Sequence, residues 1–143
     1  MKSIALKGLK GKRVAMQFPE GMRHRAIEFA RMLERENGCE VVLLGDACYG
    51  ACDLPDAGLI EALHVDVLIH LGHLPFLQMD AKLPKTRLMF VEMRMDIDLK
   101  KMAKIILKKD ALRKLGSRIG LATTAQHVHQ IDEVARMLEG VRV

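Results

Sequence analysis

Short apolar runs rich in Val, Ile and Leu alternate along this chain with segments whose apolar residues recur at helical spacing. The runs predict strands over Lys12–Phe18, Glu40–Leu44, Val65–His70 and Arg87–Glu92. Between them, the spacing predicts a helix that ends at Asn37-Gly38 and a shorter helix over Pro55–Leu63. Strands that are apolar throughout are typical of parallel sheets covered on both faces. We therefore predict an α/β fold with a parallel sheet flanked by helices on both faces.

The last third of the chain continues the alternation. Its pattern predicts a long basic helix over Leu99–Leu115, a strand over Arg118–Ala122 and a helix over His127–Leu138. No strand follows that last helix beyond residues 141–143, so this β-α pair either completes the first domain or begins a second one. We predict an amino-terminal α/β domain over residues 1–116 and a separate portion over residues 117–143.

The positive charge of the chain is concentrated in the predicted basic helix. The net charge is +5, yet the segment from Asp98 to Arg118 has eight basic residues and two acidic ones. Such a helix is usually a solvated face, and a docking surface for an acidic partner is the less favoured interpretation. Aromatic residues make up only 3% of the chain, which argues against nucleic-acid binding by base stacking.

The sequence shows no sign of a membrane segment or a leader. No uncharged apolar run approaches the roughly 18 residues of a membrane span. The basic start of the chain lacks the apolar region of a signal peptide. We therefore expect a cytoplasmic protein without a membrane partner.

Two of the three cysteines lie in one glycine-broken loop, Gly45–Asp53, directly after the second predicted strand. Open α/β sheets bind ligands at the carboxyl ends of their strands. The odd number of cysteines argues against a disulfide framework. Spacing alone favours metal or cluster binding by Cys48 and Cys52 about as much as two unrelated buried thiols. Cys39, at the start of a strand, is interpreted as a packing residue.

Two imidazoles follow the third predicted strand at the same edge. His70 and His73 could complete a tetrahedral zinc site with Cys48 and Cys52. For His70 the favoured alternative is packing beneath the sheet, and for His73 neither interpretation is favoured.

Two strand-to-helix turns, Gln17–Met22 and Thr123–His129, could present backbone N–H groups to an anion. Neither matches a glycine-rich nucleotide motif. Plain turns, with Gly21 for geometry and threonine caps, are the favoured interpretation.

Four segments together resemble the archaeal diphthamide synthase family, the 2-(3-amino-3-carboxypropyl)histidine synthases. The resemblance covers nearly the whole chain, with the motifs in the family's order. The segments are Val14–Gly21 (VAMQFPEG), Gly45–Asp53 (GDACYGACD), Asp66–His73 (DVLIHLGH) and Ile119–His129 (IGLATTAQHVH), the last being similar to the start of the family's second domain.

The resemblance implies three similar α/β domains around one [4Fe–4S] cluster, each domain giving one cysteine. It implies that the fourth iron meets S-adenosylmethionine, whose 3-amino-3-carboxypropyl radical adds to a histidine of elongation factor 2. This is the first step of diphthamide synthesis, and the archaeal enzyme is a homodimer. We therefore expect elongation factor 2 and a second copy or related subunit as partners, with no direct nucleic-acid contact.

Position by position, the resemblance makes Cys52 the cluster ligand. Cys48 stands where family members vary, and is taken as an auxiliary metal ligand or a plain residue. The family's second and third cluster cysteines have no counterpart in these 143 residues, so we expect the chain alone to be inactive. Two alternatives remain, namely a non-catalytic zinc- or thiol-containing α/β module and a cluster enzyme similar to quinolinate synthase.

Overall fold

Four parallel strands form a single sheet in the order β2-β1-β3-β4. The computed structural model describes residues 6–75, 83, 85–108 and 118–139, without the side chains of residues 103 and 106–108. The strands are β1 (Arg13–Gln17), β2 (Glu40–Leu43), β3 (Val67–Leu71) and β4 (Arg87–Val91). All four strands predicted for this part of the chain are present, with bounds shifted by one or two residues.

Helices α1 (Ala26–Asn37) and α2 (Ala57–Ala62) connect these strands. Gly38 ends α1 in the left-handed conformation, at φ 62°, which glycine adopts without steric cost. The Asp56 carboxylate caps α2 by accepting from the Leu59 amide. A 3₁₀ helix, Glu20–Arg25, lies between β1 and α1.

The strand order places α1 and α2 on opposite faces of the sheet. The first crossover runs from β1 to β2 on one side, and the second passes back over β1 to reach β3. Crossovers between parallel strands are right-handed as a rule, so helices that cross in opposite directions lie on opposite faces. Ile60 of α2 packs with Ala15 of β1 and Leu68 of β3 in a buried cluster. The predicted parallel sheet with helices on both faces is confirmed.

The chain divides into two compact units, Met1–Glu92 and Met93–Val143. The first contains the sheet. The second contains α3 (Leu99–Lys108), a 3₁₀ helix over Ala125–Gln130 and α4 (Ile131–Glu139). The predicted end of the basic helix and the predicted boundary after residue 116 fall within residues 109–117, outside the described residues, and both stay predictions.

The predicted strand over Arg118–Ala122 is wrong. These residues form no strand. A strand needs a partner for its backbone hydrogen bonds, and the described part of the second unit contains no strand with which they could pair. Ile119 and Leu121 instead line an apolar cavity of about 310 Å³ with residues of α3 and α4. The predicted last helix is also altered, since its first turn is the 3₁₀ helix and α4 begins only at Ile131.

Candidate functional site

The carboxyl ends of β1 and β3 lie side by side in the sheet, and we refer to this place as the crevice. The strand order reverses here, since β1 leads to β2 on one side and β3 leads to β4 on the other, and open α/β sheets bind ligands at such a switch point. The register pairs Gln17, the last residue of β1, with His70 of β3. Both side chains are buried, at 2% and 0% exposure. Among the described residues, they are the two polar side chains that are buried.

The Gln17 side chain fixes the state of the His70 ring. Its amide nitrogen donates to the Asp53 carbonyl, which leaves Gln17 Oε1 facing His70 Nδ1 at 2.8 Å. That oxygen can only accept, so His70 Nδ1 carries the proton. Burial, with His73 as a second cause, lowers the pKa of His70 to about 4. His70 is therefore neutral at pH 7, and its Nε2 is an unprotonated acceptor.

The cysteine loop is held against this crevice by several hydrogen bonds. The Asp53 carboxylate accepts from the amides of Tyr49 at 2.7 Å and Gly50 at 3.0 Å, which lowers the pKa of Asp53. Arg23 donates to the Gly45 carbonyl at 2.7 Å. The turn after β1 joins the loop through the Glu20 amide, which donates to the Cys48 carbonyl at 3.1 Å.

Cys48, His70 and His73 meet inside the crevice. Cys48 Sγ lies 3.8 Å from His70 Nε2 and 3.9 Å from His73 Nδ1. The two ring nitrogens are 3.1 Å apart. Gly72, at φ 80°, turns the chain after β3 so that His73 returns toward His70, a conformation open to glycine at little cost. Burial, and then the nearby Asp53 charge, raise the pKa of the Cys48 thiol.

Cys52 lies outside this group of three. It is exposed, and its sulfur is 3.8 Å from Asp53 Oδ1. It belongs to the loop at the carboxyl edge of the sheet, as expected. The four-residue site considered from the sequence thus separates into a group of three, of which Cys48 and His70 are buried and His73 is half-buried, and one exposed thiol.

Cys39 has the packing environment predicted for it. It is half-buried before β2, its sulfur lies 3.8 Å from the Leu33 carbonyl, and burial raises its pKa. His70 is buried, as the favoured interpretation expected. That interpretation did not include its polar partners, Gln17 and His73. Sequence reasoning missed Gln17 as a site residue, although a polar residue ending an apolar strand was a visible signal.

The second predicted turn has a local structural role. His127 Nδ1 donates to the Met95 carbonyl at 2.7 Å, and His129 Nε2 lies 2.8 Å from Asp96 Oδ1. These imidazoles hold the segment before α3 within the second unit. Among the described residues, no helix has both the length and the apolar character needed to cross a bilayer.

Comparison with known proteins points to one family. A family model described as a putative diphthamide synthesis protein matches residues 18–143. The 2-(3-amino-3-carboxypropyl)histidine synthase of Pyrococcus horikoshii is 40% identical over 141 residues, which is 96% of this chain and 39% of that protein. Subunit 1 of the human protein of the same name is 32% identical over 133 residues, covering 91% of this chain and 29% of that protein.

A solved structure agrees with the sequence matches. The crystal structure of Dph2 from Pyrococcus horikoshii with a 4Fe–4S cluster superposes with a TM-score of 0.68 at 40% identity. The match covers 90% of this chain and 36% of that one. The chain therefore spans less than two fifths of the length of these relatives.

Proposed function

This chain belongs to the diphthamide synthesis family, and on that premise we propose that it is part of a 2-(3-amino-3-carboxypropyl)histidine synthase. The complete enzyme transfers the 3-amino-3-carboxypropyl group of S-adenosylmethionine to a histidine of elongation factor 2. Such a substrate implies a cytoplasmic enzyme. One observation supports the proposal most directly: Cys52, in the segment that resembles the family's cysteine motif, is exposed on the loop at the carboxyl edge of the sheet.

The residues around Cys52 are compatible with a [4Fe–4S] cluster. Its thiol is exposed, so a bound group can approach it without displacing the core. Gly50 lies next to the sulfur, since a Cβ added there would be in van der Waals contact with Cys52 Sγ at 3.6 Å. The hydrogen bonds of Asp53 to Tyr49 and Gly50 fix the loop from which the thiol projects. Cys52 would thus be one thiolate ligand.

The remaining cluster ligands would come from outside these 143 residues. A cluster with three thiolate ligands leaves one iron position open. When reduced by an external electron donor, such a cluster would bind S-adenosylmethionine at that position and supply the one electron that cleaves its sulfur–carbon bond. The contribution of this chain is to hold one ligand and to form one wall of the site. A second copy or a related subunit as partner is part of the same proposal.

A chimera tests the proposal. The aligned segment of the Pyrococcus horikoshii enzyme is replaced by this chain, and the protein is reconstituted anaerobically with iron and sulfide. We expect cluster formation and transfer of the aminocarboxypropyl group to elongation factor 2. Cys52→Ser should abolish both, whereas the matched control Cys39→Ser should retain both. A Cys52→Ser chimera with full cluster content would remove Cys52 from the ligand set.

A further inference from the structure

We propose that Cys48, His70 and His73 form a second, mononuclear metal site that binds one Zn²⁺-type ion and leaves one coordination position open. The inference does not depend on the proposed transferase function. It rests on the three side chains that converge in the crevice, whose ligand atoms all lie within 4.8 Å of one another. Cys52 is not a member of this group.

The spacing of the three ligand atoms fits a tetrahedral ion. With Zn–S of about 2.3 Å and Zn–N of about 2.0–2.1 Å, tetrahedral angles give S···N separations of about 3.6 Å and N···N of about 3.3 Å. The corresponding distances here are 3.8, 3.9 and 3.1 Å. An ion could therefore bind with shifts of about 0.3 Å or less. Side chains packed without regard to a ligand need not share this spacing.

The groups behind the ligands are arranged as they are in metal sites. A metal-binding histidine commonly donates its other ring N–H to an oxygen that fixes the tautomer. Gln17 Oε1 does this for His70, and Gln17 is itself oriented by the Asp53 carbonyl. His70 Nε2 is therefore unprotonated and lies on the side of Cys48 and His73.

Hydrogen bonds alone satisfy the buried Cys48 thiol poorly. Cys48 is 1% exposed, and its sulfur has three polar neighbours, all at long range. The third is the Gly50 carbonyl at 3.7 Å. A thiol has one proton and can donate to only one of them. An ion would replace that proton and bind the sulfur and both nitrogens together.

The ligand set selects the class of ion. Two imidazoles and a thiolate suit borderline ions such as Zn²⁺ and Co²⁺, whereas Mg²⁺ and Ca²⁺ prefer oxygen ligands. Three protein ligands with an open fourth position are typical of zinc sites that bind water or an external ligand. His73, which is only half-buried, lies on the accessible side.

Zinc binding to the reduced, iron-free chain tests the site. The 143-residue protein is stripped with a chelator and titrated with Zn²⁺ under anaerobic conditions without sulfide. We expect one tightly bound Zn²⁺ per chain and a raised melting temperature. With Co²⁺ we expect the intense visible bands of a tetrahedral ion together with a thiolate charge-transfer band. A wild-type chain without stoichiometric zinc, or a cobalt spectrum without the thiolate band, would overturn the proposal.

Matched variants assign the ligands. His73→Ala should weaken zinc affinity by about 100-fold or more, since loss of even an outer-shell partner costs about 10–100-fold. Cys52→Ser and Cys39→Ser should bind zinc like the wild type. His73→Gln, which keeps a polar side chain, serves if His73→Ala does not fold, as judged by circular dichroism without metal. Zinc binding that survives both His73 variants, or that is lost in Cys52→Ser, contradicts the assignment.

Discussion

Gln17 and His70 occupy paired positions at the ends of β1 and β3, and Gln17 Oε1 accepts the Nδ1 proton of His70 across 2.8 Å. Because the same amide donates to the Asp53 carbonyl, one side chain joins both strands to the cysteine loop. Buried polar groups that lose such partners retain their desolvation cost.

Replacing Gln17 with Met should therefore lower the free energy of unfolding by about 1–3 kcal/mol. Methionine has a similar length but leaves His70 Nδ1 and the Asp53 carbonyl without their partner. Urea unfolding followed by circular dichroism measures the change. Amide exchange at Tyr49 and Gly50 should accelerate in the same variant. An unchanged unfolding midpoint would show that water or a rearranged side chain replaces the amide.

Asp66 should make the stability of the first unit depend on acid pH. Its carboxylate accepts from the Arg13 amide at 2.8 Å and from Lys12 Nζ at 3.1 Å, which lowers the pKa of Asp66. Because the folded-state pKa lies below the unfolded value of about 3.9, the stabilisation is present above that value. It is lost as the pH falls through the lower, folded value.

Asp66→Asn should accordingly destabilise the protein at pH 7, and the difference from the wild type should shrink under strongly acidic conditions. Chemical unfolding at a series of pH values measures this difference. Asp46→Asn is the control, since Asp46 is exposed and has no hydrogen bond or ion pair among the described residues. A pH-independent difference would assign the effect of Asp66 to something other than its charge.

Ile60 should be the side chain of α2 that matters most for stability. It is 1% exposed, whereas its neighbour Leu59 is 40% exposed. Ile60→Ala should cost about 2–5 kcal/mol of unfolding free energy, because it removes buried methyl groups and leaves a cavity between α2 and the sheet. Leu59→Ala, measured in parallel by urea unfolding, should stay within about 0.5 kcal/mol of the wild type. Equal losses would contradict this orientation of α2.

The isolated chain should not assemble a [4Fe–4S] cluster. Cys39 precedes β2 and Cys52 follows it, and the four residues of the strand separate the two ends by about 13 Å. Cys48 is buried beside His70 and His73. Anaerobic reconstitution should therefore give iron well below one cluster per chain, and no transfer to elongation factor 2. A stoichiometric cluster would mean that all three cysteines can converge, and the proposal that ligands come from elsewhere would be wrong.

The sheet was predictable from the sequence because its strands are mostly apolar and the end of the first helix has a clear signal. Asn37-Gly38 marks that end by local chemistry alone, whereas α2, predicted to begin at Pro55, begins at Ala57 after its cap Asp56. The strand predicted over Arg118–Ala122 fails for the opposite reason. Its apolar character is real, but pairing depends on a partner strand, which a local pattern does not report.

The edge of the sheet that holds the candidate site was also predictable from the sequence. Which side chains come together at that edge was not. Cys48, His70 and His73 all stood among the residues singled out by motif position. The sequence did not reveal that Cys52 would lie outside this group, because a loop with three residues between the two cysteines permits many sulfur–sulfur distances. Nor did it reveal Gln17, whose role follows only from the register of β1 against β3.

The strand order also determines when the crevice can exist during folding. Gln17 and His70 are 53 residues apart in sequence, and they become neighbours only when β3 pairs with β1. Such nonlocal pairings form late, because the entropy cost of closing a long loop comes before any stabilising contact is made. A ligand at this crevice would therefore recognise the assembled sheet and not an isolated loop. Its binding energy would stabilise the first unit as a whole, so that ligand occupancy reports on completed folding.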